Sequence, residues 1–386
     1  MLLARQTLAS KMLAHQIIMT RHLLHAFPSF NAGGMETRTS DIINHFGNRY
    51  RHTIIAMDRN LDCREKINPA LAVQFLEVPD NKSNLLVNLK TFAGTLKKIK
   101  PDLLLTYNFG SVEWSLANAL ANVCPELHWE EGFTTEEATK QLTRRIYIRR
   151  IFLARTRKII VVSRQMQKIA TDVWKFSPKK VLYLPNGVDL IKYANQSEKK
   201  LPPELATGAG SLLIGTVARL RQEKNIPRLL RVFRAATQNV NAKLVIVGSG
   251  EMYDSIQRYI QELNLTEKVI MTGYINDPSA IVKALDILAI SSDTEQMPIS
   301  VLEAMAAGIP VAGTDVGDIK EMIAPGNVEF LCQADDENAF INNLQRLMAD
   351  EVLRGRIGQD NMARSKANFD KQLMFDNYEK LYELDI

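Results

Sequence analysis

Asp293-Thr294-Glu295-Gln296-Met297-Pro298-Ile299-Ser300-Val301-Leu302-Glu303-Ala304-Met305-Ala306-Ala307-Gly308-Ile309-Pro310-Val311 is the stretch that decides how this chain reads. Its two carboxylates, Glu295 and Glu303, stand eight residues apart, with Pro298 between them and an Ala-rich helical run behind. That spacing predicts Glu295 on a loop and Glu303 about one turn inside a helix. The unpaired N–H groups of the helix start, at Ile299, Ser300 and Val301, then lie between the two acids. Such groups, at the positive end of the helix dipole, bind phosphate. Carboxylates accept hydrogen bonds from sugar and ribose hydroxyls. A phosphate cradle flanked by two hydroxyl acceptors fits a sugar nucleotide. Taken alone, the same residues also fit a buried helix with two solvated acids.

Outward from this stretch, short β-rich runs alternate with helical ones. Strands are expected at His22–Phe27, His52–Met57, Ala72–Leu76, Leu103–Tyr107, Glu126–Trp129, Lys158–Val162 and Val181–Leu184. In the second half they fall at Leu212–Val217, Lys243–Val247, Lys268–Met271, Ile287–Ile290, Pro310–Gly313 and Val328–Cys332. Continuous apolar runs such as Leu103-Leu104-Leu105 mark strands buried on both faces of a parallel sheet. Strand–helix alternation in both halves implies an α/β chain of two doubly wound units. The turn formers of Leu184-Pro185-Asn186-Gly187-Val188-Asp189 and the polar stretch Gln196–Gly210 place the boundary. The expected division is 1–18, an N-terminal extension; 19–189, a first domain; 190–370, a second domain; and 371–386, a closing helix.

A chain of 386 residues suits two domains. Cys63, Cys124 and Cys332 are too few and too scattered for a disulfide framework or a zinc site, which points to a reducing compartment. No apolar run reaches the roughly 20 residues that span a bilayer. Residues 1–18 lack the apolar core and cleavage site of a signal peptide and read as dispensable. Charge is uneven: residues 1–189 hold 27 Lys and Arg against 16 Asp and Glu, and residues 190–386 hold 21 against 27. A basic half joined to an acidic half suggests that one half faces a polyanion. Lys140–Lys158 concentrates this, with eight Lys and Arg, no acid, and interleaved apolar residues. An anionic membrane surface attracts such a segment by about 1 kcal/mol per basic residue. A solvated helix or a nucleic-acid contact would look alike, and nucleic acid is the less favoured partner.

Further constellations fall at expected strand ends. Gly33 and Gly34 after the first strand permit close backbone approach to a ligand, although a plain tight turn needs them equally. Arg219 and Lys224 stand five apart after the strand that opens the second domain, where a diphosphate would need cations. Gly248 and Gly250 loosen the next strand's exit, and Tyr274 follows the one after. His128, near a strand end with Glu130 and Glu131 beyond it, is a candidate sugar contact. Tyr107, Asn108 and Gly110 are weaker candidates for the same cleft. There is no Asp-x-Asp or His-x-x-x-His, so no metal is expected.

In this order the motifs resemble family 4 glycosyltransferases, retaining enzymes of the GT-B fold. The matching pieces are Glu295-x7-Glu303 with Ala304-Met305-Ala306, Arg219-Leu220…Glu223-Lys224-Asn225, the Gly33-Gly34 loop and Pro185-Asn186-Gly187-Val188-Asp189. The resemblance implies two Rossmann-like domains facing a central cleft and a last helix that crosses back to the first. It implies a hexosyltransferase acting on a saccharide or lipid-linked acceptor in surface polysaccharide or lipopolysaccharide synthesis. The implied co-substrate is a UDP- or GDP-sugar, with no further cofactor. The implied location is cytoplasmic, with peripheral contact to the inner membrane face. Arg219 and Lys224 would hold the diphosphate, Glu303 the ribose, Glu295 the donor sugar. His128, Gly33 and Gly34 would lie near donor and acceptor, and Met297, Ile299, Ser300, Val301, Gly248, Gly250 and Tyr274 would line the donor pocket. Two departures stand out: Ala218 replaces a usual Gly, and Gln296-Met297 replaces Gly-Phe or Gly-Leu. A nucleotide-sugar epimerase and a non-catalytic subunit of the same fold remain alternatives.

Overall fold

In the computed structural model, which describes residues 20–31, 33–80, 84–132, 137, 141–194, 205 and 210–383, strands form at each expected apolar run. β1 (Arg21–Phe27), β2 (Tyr50–Ala56), β3 (Val73–Phe75), β4 (Leu103–Tyr107), β5 (Glu126–Glu130), β6 (Lys158–Val161) and β7 (Val181–Tyr183) make one sheet, ordered β3-β2-β1-β4-β5-β6-β7. β8 (Leu212–Val217), β9 (Ala242–Val247), β10 (Val269–Gly273), β11 (Ile287–Ile290), β12 (Val311–Thr314) and β13 (Leu331–Cys332) make the second, ordered β10-β9-β8-β11-β12-β13. Every paired strand runs parallel. Each order reverses beside its first strand, between β1 and β4 and between β8 and β11. Such reversal points open a crevice at the strands' carboxyl ends. This is the arrangement of two doubly wound α/β units that the alternation implied.

Many strand ends fall one or two residues from expectation, and two differences bear on the rest of the structure. Only Leu331–Cys332 of the expected 328–332 run is strand, because Pro325–Phe330 winds into a 3-10 turn that buries Phe330. β5 runs on to Glu130, whose side chain finds a buried cation rather than water. The expected extension 1–18 and most of the Gln196–Gly210 stretch lie outside the described residues.

The C-terminal helix, Lys371–Glu383, crosses back to the first sheet as expected. Met374, Phe375, Tyr378, Leu381 and Tyr382 join the core of β1, β2 and β4. Phe375 stacks on His45 at 3.8 Å, and the Trp129 indole N–H donates to the Tyr378 hydroxyl at 3.0 Å. The crossing is fixed where Val188 bridges Asp370: the Val188 N–H donates to Phe369 O at 2.8 Å and the Lys371 N–H to Val188 O at 3.0 Å. Gly187 permits this approach, since a Cβ there would lie 2.7 Å from Lys371 Cα. Gly187→Ala should therefore separate the two passages at a cost of about 1–3 kcal/mol. The expected result is a lowered thermal unfolding midpoint by calorimetry, and an unchanged midpoint would show that the contact gives way freely.

Candidate active site

The cleft wall on the second domain is built from three loops at strand ends. The loop after β8 carries Arg219, which is exposed, and Lys224. Its path is set by the loop after β9. A Cβ on Gly248 would lie 1.8 Å from Ala218 O, and one on Gly250 would lie 2.3 Å from Leu220 O. The Leu220 N–H donates to Ser249 O at 2.9 Å. Gly248 and Gly250 thus clamp the backbone on both sides of Arg219. Tyr274, after β10, is 61% exposed.

Lys224 reaches the Asp293–Val311 stretch. Its Nζ lies 2.5 Å from Glu295 Oε1, which also accepts from the Ser292 hydroxyl at 2.7 Å. Backbone stitching keeps the two loops in register: the Asp293 N–H donates to Glu223 O at 2.8 Å, and the Ser291 hydroxyl to Lys224 O at 2.9 Å. The helix Ile299–Ala306 starts behind Pro298 with no side-chain cap. Its Val301 N–H is taken by Pro298 O at 3.1 Å, so the expected phosphate cradle narrows to the Ile299 and Ser300 amides. Glu303 follows on the same helix, half-buried. Burial raises its pKa, and the facing groups are Tyr193, Lys192 and Asp277. The Tyr193 hydroxyl lies close enough to affect that carboxyl, yet is buried without a hydrogen bond of good geometry.

The first domain meets this wall edge to edge. Gly34 faces Ile299, whose Cδ1 would be 3.5 Å from a Cβ there. The Ser163 hydroxyl donates to Gln296 Oε1 at 2.9 Å. Asp318 accepts the N–H groups of Arg164 and Gln165, the latter at 3.0 Å. Met297 is buried against Asn186, whose side-chain amide donates to Met297 O at 3.4 Å, so its side chain serves the domain contact and not a pocket. Arg38 holds Asn186 and Glu131 together from the helix Gly34–Phe46. Local sequence carries no signal for Gln296, Asp318 and Arg38 as interdomain contacts, because their partners are more than 90 residues away. Only the Asn-Gly turn signal hinted at that meeting point.

His128 is placed otherwise than expected. It lies inside β5, 0% exposed, with Nδ1 2.9 Å from the Thr106 hydroxyl and Nε2 3.2 Å from Glu130 Oε2. Because β5 extends to Glu130, His128 is mid-strand and points into the domain rather than the cleft. Glu126, His128 and Glu130 share a face by strand alternation. Arg149, from the helix Thr143–Phe152, closes the chain of contacts, pairing with Glu130 at 3.2 Å and Glu137 at 3.0 Å. Burial alone would raise the Glu130 pKa, but Arg149 and His128 outweigh it and hold the carboxyl below its ordinary range. Tyr107 is likewise a core residue, stacked on Phe27 at 3.9 Å. Asn108 accepts the Glu131 N–H at 2.9 Å and shapes the cleft floor. Of the basic stretch, Lys140 lies outside the described residues, Arg149 is buried, and Arg144, Arg150, Leu142, Tyr147 and Ile151 are exposed. Among the described residues, no group of three His, Cys, Asp or Glu side chains is placed to hold a metal, and no helix is long and apolar enough to cross a membrane.

Comparison with known proteins agrees with this architecture. Residues 32–192 match the family described as Glycosyltransferase Family 4, and residues 197–364 match Glycosyl transferases group 1. The chain is 27% identical over 314 residues to the UDP-Gal:alpha-D-GlcNAc-diphosphoundecaprenol alpha-1,3-galactosyltransferase of Escherichia coli, covering 77% of this chain and 81% of that protein. It is 31% identical over 199 residues to a Campylobacter jejuni N-acetylgalactosamine-N,N'-diacetylbacillosaminyl-diphospho-undecaprenol 4-alpha-N-acetylgalactosaminyltransferase, about half of each chain (51% and 52%). Among solved structures, Anabaena Alr3699/HepE in complex with UDP-glucose superposes with a TM-score of 0.78 at 18% identity, over 94% of this chain and 100% of that one. Sucrose-phosphate synthase from Thermosynechococcus elongatus gives 0.76 at 19%, over 94% and 98%. At such identities the likeness concerns the fold, which is GT-B.

Removing one partner from a buried ion network leaves uncompensated charge, typically at about 3–5 kcal/mol. Arg149→Ala should therefore lower stability by that order, while Arg150→Ala on the same helix, exposed, should change it by less than about 0.5 kcal/mol. Chemical denaturation of both variants checks this, and equal effects would remove the network from the account.

Proposed function

Because the chain belongs to the GT-B glycosyltransferases of family 4, we propose that it transfers a hexose, with retention of configuration, from a nucleotide sugar to a saccharide or lipid-linked acceptor in surface polysaccharide synthesis. The observation that carries this reading is the Lys224–Glu295 ion pair at 2.5 Å, set in front of an uncapped helix start that faces Gly34 across the cleft. A cation, free amides and a hydroxyl acceptor are thereby gathered on one edge. UDP is the favoured nucleotide, because the E. coli relative is named for UDP-Gal and the Anabaena neighbour holds UDP-glucose.

In this reading the diphosphate sits over the Ile299 and Ser300 amides, with Arg219 and Lys224 as its cations. Glu303 accepts from ribose hydroxyls, whose donors favour its ionised form despite burial. Glu295 leaves part of its bond with Lys224 to take donor-sugar hydroxyls. The sugar–phosphate bond breaks with oxocarbenium character, and the acceptor hydroxyl attacks from the face that the diphosphate leaves, passing its proton to the departing phosphate oxygen. Preorganised cations and amides stabilise the departing charge, the larger share of such catalysis. His128 has no part in the chemistry, since it does not reach the cleft. The exposed Leu142, Tyr147 and Ile151 beside Arg144 and Arg150 suit a lipid surface, where apolar side chains enter the interface and cations meet anionic headgroups.

A panel of UDP-, GDP- and ADP-sugars scored by nucleotide release should single out one donor, and proton NMR of the glycoside should show the donor's own anomeric configuration. Glu295→Gln should lower kcat by roughly 10²-fold or more. An inverted product would overturn retention, and the absence of release with any donor would overturn transferase activity. On vesicles containing anionic lipid, replacing Arg144 and Arg150 by Glu should abolish salt-sensitive sedimentation. Unchanged sedimentation would remove the membrane contact.

A further inference from the structure

One buried acid at the edge of this cleft has no task in the mechanism above. Glu36 is the third residue of the helix Gly34–Phe46 and is 9% exposed. Its carboxyl folds back over the helix start, so that a Cβ on Gly33 would lie 2.3 Å from Glu36 Oε2. Gly33 supplies no side-chain cap, and the carboxyl stands where the helix N-terminus favours an anion. Gly34, two residues before it, is the residue that faces Ile299 of the other domain. The charged groups facing Glu36 are Arg38 on its own helix and Arg221 and Arg219 on the loop after β8. The Cys63 thiol of the turn Asp62–Lys66 is also within its field. Burial outweighs these cations and pushes the carboxyl up to about 7.

This corner therefore holds a carboxyl poised between its charged and neutral forms, within the field of Arg219 and Arg221 of the opposite domain. A nucleoside diphosphate brought to Arg219 would place its negative charge beside that carboxyl. Like charges at such a distance select the neutral acid. The acid form also has something to offer the ligand, since a protonated carboxyl is a hydrogen-bond donor and a phosphate oxygen is an acceptor.

We propose that Glu36 is a phosphate-binding group of the donor site: entry of the nucleoside diphosphate draws one proton from solvent onto its carboxyl, which then donates to a phosphate oxygen. Arg219 and Arg221 exchange the carboxylate for the phosphates. On departure of the diphosphate the proton returns to water, and no covalent bond changes. The inference rests on the donor reading given above and adds to it a protonic link between the Gly33-Gly34 loop and the leaving group.

Titration calorimetry of the full chain with UDP, at about pH 8 in two buffers of unlike ionisation enthalpy, reads the protons taken up. The wild-type protein should take up more than Glu36→Gln does, by a substantial fraction of one proton per UDP. Any proton change from UDP itself is common to both proteins and cancels in the difference. Above about pH 7 the wild-type Kd for UDP should rise by up to about tenfold per pH unit. The Gln variant, which keeps a neutral donor, should rise less steeply and bind UDP more tightly than wild type at the alkaline end. Equal proton uptake in the two proteins overturns the proposal, as does an equal pH slope. Should the Gln variant fail to fold, the wild-type slope decides: an affinity that is flat from about pH 7 to about 8.5 overturns it. Binding of UDP without these differences removes Glu36 and leaves the donor site standing. No binding of UDP, GDP or ADP to the wild-type protein removes the donor site and this proposal with it.

Discussion

The whole cleft depends on one close passage of backbone past backbone. Gly187 and Val188 lead out of the first domain, and Phe369 to Lys371 lead back into it, hydrogen-bonded side by side. Two covalent crossings at one point act as a hinge and fix which edges of the sheets oppose each other. Asn186, just before the crossing, is held by Arg38 and by Met297, so the hinge is wired to both walls of the site. A Cβ at Gly187 would interfere with all of this, which is why a residue far from the chemistry governs it.

Given that hinge, the electrostatics of the cleft follow from strand polarity. Parallel strands deliver their carboxyl-end loops, and the helix starts behind them, to the same side. Positive helix ends and the cations Arg219 and Lys224 gather there. The acids Glu36, Glu295 and Glu303 stand close to them. Lys224 and Glu295 satisfy one another, whereas Glu36 and Glu303 are pushed by burial towards their neutral forms. A ligand bringing phosphate charge and hydroxyl donors would rearrange both kinds of acid at once.

The polar chain running Thr106, His128, Glu130, Arg149 and Glu137 works differently. Its members are buried in the first domain and satisfy one another, so their weight falls on stability. In sequence, His128 followed by Glu130 and Glu131 has the look of a site because the residue types are those of a site. Whether such residues face water or core depends on where a strand ends, and β5 ends at Glu130. His128 is a structural histidine because its strand face packs on the buried Thr106 and Glu130.

Much was therefore legible from residue order alone. Apolar runs marked the strands, because burial on both faces of a sheet demands them, and local turn chemistry marked the hinge. The uncapped helix start between Glu295 and Glu303 is also a local matter, set by Pro298 and a spacing of eight residues. The pairing of Lys224 with Glu295, the clamp of Gly248 and Gly250 around Arg219, and the meeting of Gly34 with Ile299 join residues tens to hundreds of positions apart. Their contacts arise from how two sheets are turned towards each other, a long-range packing outcome that no local periodicity encodes. Tertiary structure alone decided that His128 belongs to the core and that Glu36 is buried within the field of the opposing domain's arginines, because burial and the charges facing a group exist only once the chain has folded.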